Sequence, residues 1–210
     1  AEAAVLEGAG DNALRAGAVS IGPTSRGTGQ GAREASPLRA GNATLVVEAD
    51  TVQIVGNAIL DRFETATITG REGIAVAGVL TERNDRRNGF LGTGTEFVGS
   101  LRTTADLEFA GDQLFPTTLS RFEVRVESGG GEIRVSGDGE PGPRPLSVAG
   151  ALTLAASRIV SAGVLRAPFG QITLDAGELV LDAGSLTDTS GNGSVQLFGT
   201  TAAGQDLTYD

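Results

Sequence analysis

A short alternating segment that passes through two or three turn residues into a second such segment recurs six times along this chain. Its clearest copy runs Ile172-Thr-Leu-Asp-Ala-Gly-Glu-Leu-Val-Leu-Asp-Ala-Gly184. Anchored on the first apolar residue of the second segment, the copies sit at Val52, Ile74, Leu114, Ile133, Ile159 and Leu179, spaced by 22, 40, 19, 26 and 20 residues. The interval of 40 reads as two turns. A period near 20 built from strand-length pieces, with no helical pattern, predicts an all-β solenoid, a parallel β-helix in which each turn of chain stacks on the turn before it. Nine or ten turns, about 45 Å of stacked strands at about 4.8 Å per turn, are expected.

The alternation also gives a phase. Every second side chain on each segment is apolar, so one face turns inward and the other meets solvent. The inward set is Val52, Ile54, Ile74, Val76, Val124, Val126, Leu152, Leu154, Ile172, Leu174, Leu179 and Leu181. Val5-Leu6 and Ala16–Ile21 read as weaker first coils. Phe122–Glu127 and Glu132–Val135, joined by Ser128-Gly-Gly-Gly131, fit either a hairpin or two sides of one turn. With 32 glycines in 210 residues and few aromatics, the composition suits a narrow core of small and branched side chains. The chain is read as one domain, 1–210, because no linker interrupts the repeat.

Three stretches break the alternation. Residues 22–40, polar and turn-forming, read as a loop leaving the wall. Residues 81–100 read as a second excursion, with Phe90, Leu91, Phe97 and Val98 packing back on the wall. Its Arg83, Arg86, Arg87 and Asn88 are the candidate exposed binding residues. Residues 136–145 must be a third loop, since Pro141, Pro143 and Pro145 cannot sustain a ladder. Regular turns are expected to return from Leu146.

The missing residue types exclude chemistry. His, Cys, Lys, Met and Trp are absent, and all 16 basic residues are Arg. Without His or Cys there is no Ser-His or Cys-His nucleophile and no usual zinc site. Without Lys there is no Schiff base and no phosphate-loop lysine. No catalytic, cofactor or metal residue is assigned. A net charge of −10 argues against binding nucleic acid, which requires a basic face. No apolar run is long enough to span a membrane, and no signal peptide is visible. The absence of Met, and of a cap at either end, predicts a processed product or internal segment that stacks on further β-helix or on other copies of itself.

Particular stretches carry a family likeness. Ala105-Asp-Leu107, Leu114-Phe-Pro-Thr-Thr118, Gly163-Val-Leu-Arg-Ala-Pro-Phe-Gly-Gln-Ile172 and Leu181-Asp-Ala-Gly-Ser-Leu-Thr187 resemble the C-terminal portion of filamentous haemagglutinin-like exoproteins. The resemblance is most specific over 101–190. It implies a right-handed β-helical shaft, export through an outer-membrane two-partner secretion pore, a place at the bacterial surface and a role in adhesion to a host or neighbouring cell. The family's Asn-Pro secretion motifs have no counterpart here, and no catalytic residue carries over. Arg166 and Pro168 are expected to shape a corner.

A structural and adhesive shaft is therefore the leading reading. The alternatives are a polysaccharide-processing β-helix enzyme, for which Asp175 and Asp182 on neighbouring strands would be the carboxylates, and a shaft that carries a toxin domain elsewhere in the polypeptide.

Overall fold

The structure is a computed structural model that describes residues 3–23, 38–85, 92–137, 142–191, 199–202 and 206–209. Among them there are strands and no helix. The first turn is β1 (Ala3–Glu7) and β2 (Asp11–Ile21), the second β3 (Ala43–Val55), and the third β4 (Asn57–Asp61) and β5 (Phe63–Ala77). β6 (Val79–Asp85) leads out, and the chain returns along β7 (Gly92–Thr103), which runs into the fourth turn with β8 (Asp106–Gly111) and β9 (Leu114–Pro116). β10 (Ser120–Val126) and β11 (Glu132–Ser136) make the fifth turn, and β12 (Ala151–Ser161) and β13 (Val164–Arg166) the sixth. The seventh is β14 (Gln171–Leu181) with β15 (Leu186–Asp188), followed by a separate antiparallel pair, β16 (Gly199–Ala202) and β17 (Asp206–Tyr209).

Apart from β6, which pairs antiparallel with β7, and the β16–β17 pair, each strand pairs in parallel with one from another turn, which sorts the coil into three ladders. The first runs β1-β4-β7-β10 and then the leading halves of β12 and β14. The second runs β2-β3-β5-β8-β11 and the trailing halves of β12 and β14. The third takes the trailing halves of β2, β3 and β5, then β9, β13 and β15. Fifteen strands thus join in one sheet with a pattern consistent with a parallel β-helix. Phe122 and Glu132 lie on two sides of one turn, not in a hairpin.

The core is a set of columns along the coil axis. Leu45, Ala66, Leu107, Ile133 and Ile159 stack in register on the second ladder, and Val52, Ile74, Leu114 and Leu165 on the third. All are buried, and each such Leu or Ile contributes about 1.5–3 kcal/mol of burial. The expected inward residues from Val52 to Leu154 are buried, and Ile172 and Leu174 pack partly against the core.

Leu179 and Leu181 correct the expectation. They sit in the inward phase, opposite Ile159 and Ser161, yet are 46% and 57% exposed. β14 is the last strand of its ladder among the described residues, so one side of these side chains has no neighbouring turn.

The turn count is also corrected, from nine or ten to seven among the described residues, or about 30 Å along the axis. Val52, Ile74 and Leu114 mark the third ladder, whereas Ile133, Ile159 and Leu179 mark the second. The interval of 40 is therefore one turn enlarged by the β6–β7 excursion, not two turns. Regular strands resume at Ala151 rather than Leu146, which is 93% exposed, because the stretch 142–150 turns the corner in bends rather than pairing.

Candidate functional site

Three stretches separate strands of this coil where loops are expected, and the middle one differs from its expected form; within them residues 24–37, 86–91 and 138–141 lie outside the described residues. Residues 81–85 and 92–100 are strand rather than loop. β6 pairs antiparallel with the leading half of β7, from Val79 opposite Val98 to Asp85 opposite Gly92. Alternating Val, Leu and Thr at 79–81 meet Phe97 and Val98, so a ribbon is the cheapest way to satisfy the backbone outside the wall. Of the candidate binding residues, Arg83 lies on β6 opposite Gly94, while Arg86, Arg87 and Asn88 lie outside the described residues, as do Phe90 and Leu91. Phe97 and Val98 do not pack back. They are 39% and 37% exposed, because the ribbon leaves the wall where their strand joins it.

The excursion after Ile21 is closed by a polar clasp that sequence reasoning missed. The Arg39 backbone N–H donates to Asp61 Oδ1 at 2.7 Å and its Nε to Oδ2 at 2.9 Å, while the Arg62 N–H donates to the Arg39 carbonyl at 3.0 Å. Glu7 pairs with Arg39 at 3.4 Å and Arg62 at 3.0 Å. Asp61 is buried. Burial pushes its carboxyl up, but the Arg39 backbone and side-chain donors and nearby guanidinium charge outweigh that and hold it below the usual carboxylate range.

The stretch from Gly142 is tied to the wall by Arg166, at the end of β13. Its Nη1 donates to the Gly142 carbonyl at 2.7 Å and to Gln113 Oε1 at 3.1 Å, and Gln113 Nε2 donates to the Pro143 carbonyl at 2.8 Å. Arg166 Nε is buried without a hydrogen-bond partner, 3.9 Å from Asp188. Burial, aided by the like charge of Arg144, moves the Arg166 guanidinium below its ordinary value. Arg144 holds Asp188 at 3.2 Å and donates to the Ser190 hydroxyl at 3.0 Å.

The corner from the third ladder to the first has a repeated backbone. Leu119, Ala149 and Phe169, on successive turns, all have left-handed φ, of 57°, 55° and 55°. Each N–H donates to a carbonyl one turn on, Leu119 to Val148, Ala149 to Pro168 and Phe169 to Thr189, each at 2.9 Å. The residue that follows is small. A Cβ on Gly170 would stand 1.9 Å from the Gly150 carbonyl oxygen. No residue-type signal marks Leu, Ala and Phe for this conformation, which L residues with a Cβ resist.

The corner between the first and second ladders carries an open groove of about 460 Å³, lined by Arg125, Glu127, Ser128, Ser157, Asp175 and Gly177. Arg125 pairs with Glu123, Glu127 with Arg102 at 2.7 Å, and the Ser157 hydroxyl donates to the Ser128 carbonyl at 3.2 Å. Asp175 and Asp182 do not converge. They lie not on neighbouring strands but along one stretch of chain, Asp175 in the leading half of β14 on the first ladder and Asp182 just after the trailing half on the second. Among the described residues no group of acidic side chains is placed to hold a metal ion, and no helix is long and apolar enough to cross a membrane.

No family model matches the chain, and searches of curated proteins and of solved structures find no significant match.

Proposed function

We propose that this chain is a segment of a structural and adhesive shaft, a right-handed parallel β-helix of the filamentous haemagglutinin-like kind, that holds its excursions out from a secreted bacterial surface protein and performs no catalysis. The resemblance of residues 101–190 supplies the family, the two-partner secretion pore and the surface location. One observation supports the display role: the ladders close beneath the excursions. β1 pairs directly with β4 although the whole stretch from 22 to 42 lies between their turns, and Leu114 on β9 pairs with Leu165 on β13 across the stretch 137–150. A shaft built this way tolerates changes in what it carries, because its backbone hydrogen bonds are satisfied from turn to turn.

The test is attachment. The chain is compared with a variant whose residues 81–96 are replaced by a two-residue Asn-Gly turn, and with a second that also shortens 24–37. Both should keep the β-rich circular dichroism spectrum and a cooperative melt, while binding to host or neighbouring cells falls. Unchanged attachment with both excursions removed would overturn the display reading. A crystal structure decides the hand of the coil.

A further inference from the structure

Ten large hydrophobic side chains are exposed on the described surface, and their distribution is not scattered. Val5 and Leu14 lie on the first turn, Leu179 and Leu181 on the last. The other six, Leu80, Phe97, Val98, Leu119, Leu146 and Phe169, all gather at one corner, where the third ladder turns into the first. The pairings fix this. Phe97 stands opposite Leu80 on the ribbon and opposite Ser120 on the wall, Leu119 hydrogen-bonds to Val148 two residues beyond Leu146, and Ala149 to Pro168 beside Phe169. The stripe follows the axis for about 15 Å.

Single exposed hydrophobics need no explanation, but a contiguous apolar stripe marks a surface that something covers. Leu119 and Phe169 add a second observation. Both hold a left-handed backbone at a strain that Gly or Asn would avoid while staying 44% and 47% exposed, the Phe169 ring lying beside Gly191.

We propose that this stripe is the contact between two copies of the chain lying side by side, related by a two-fold axis. Area and charge both point to a second copy. The six side chains leave roughly 600 Å² exposed, taking about 200 Å² for a full Leu or Phe, against about 800 Å² that each partner buries in a standard interface. The stripe is thus large enough for the apolar centre of one. A patch that meets its own image needs no second complementary surface. The chain carries a net charge of −10, so two copies repel over most of their area. At this corner the charges flanking the stripe are of opposite sign, Glu96 beside Phe97 and Arg121 two residues after Leu119, so the repulsion is weakest here.

The experiment is sedimentation equilibrium of the 210-residue chain up to about 100 µM, alongside Leu146→Asp, Leu119→Asn with Phe169→Asn, and Leu179→Ser with Leu181→Ser. Asn keeps the left-handed turn accessible, and Leu146 is too exposed for its loss to unfold the chain. A dimer is expected whose dissociation constant rises at least about tenfold in the first two variants and stays unchanged in the third. A monomer throughout, or association lost only in the Leu179/Leu181 variant, overturns the proposal, the latter in favour of end-to-end stacking. So does co-sedimentation of a monomeric chain with phosphatidylcholine vesicles that Leu146→Asp abolishes, which would make the stripe a lipid contact.

Discussion

Arg39 and Asp61, twenty-two residues apart, grip each other through both backbone and side chain: the Arg39 N–H and its guanidinium donate to the two oxygens of one buried carboxylate. Asp61→Ala should cost about 1.5–3 kcal/mol, the range for hydrogen bonds to a charged group, because the Arg39 amide and guanidinium lose their acceptor. Because the folded pKa of Asp61 is depressed, its contribution is present above the unfolded carboxylate value of about 3.9 and is lost as pH falls through the folded value. Urea titrations from pH 7 to 2.5 should show the wild type and Asp61→Ala converging at the acid end. A constant difference across that range would refute the assignment.

Among the described residues, Ser161 is the one polar side chain in the inward phase of its ladder without a partner. It stacks between Val135 and Leu181, is fully buried, and its hydroxyl makes no hydrogen bond among the described residues. Ser161→Ala removes the orphan group and should raise stability by about 1 kcal/mol, read as a higher urea midpoint with an unchanged slope. A loss of stability would mean that the hydroxyl is satisfied.

How far the sequence carries is clearest at these columns. Period-2 alternation places Val124, Val126, Leu152 and Leu154 inward correctly, because the phase of a strand is local. Which ladder a strand joins is not local. Leu114 and Ile133 look alike as anchors yet sit on different ladders, and excursions of unequal length hide the turn count. The Asp61 clasp and the Arg166 tie were illegible for the same reason: their partners lie 22 and 53 residues away in sequence. Arg83 reads as a loop residue because charge-rich segments usually are loops, whereas antiparallel pairing makes its segment a strand.

Position along the coil should set the cost of core truncation. Leu154 lies between Val124 and Leu174 on either side, through the pairings of β12 with β10 and β14, and is fully buried. Leu154→Ala should cost about 2–5 kcal/mol. Leu179 has the same phase but a single neighbouring turn, so Leu179→Ala should cost under about 1 kcal/mol. Equal costs would indicate that further chain covers β14.

Strain at the repeated corner can be measured directly. Ala149 has a left-handed φ of 55°, for which a residue with a Cβ pays roughly 1–2 kcal/mol. Glycine removes the clash but loosens the unfolded chain, whereas asparagine tolerates the conformation through its own side-chain hydrogen bonding. Ala149→Asn should therefore stabilise by about 0.5–1 kcal/mol, and Ala149→Gly by less. Ala149→Val, whose branched Cβ crowds this backbone most, should destabilise. Thermal melts of the three variants give the order Asn, Gly, wild type, Val from highest to lowest midpoint. If valine were neutral, the corner would be relaxed in solution and Leu119 and Phe169 would hold their backbone without strain.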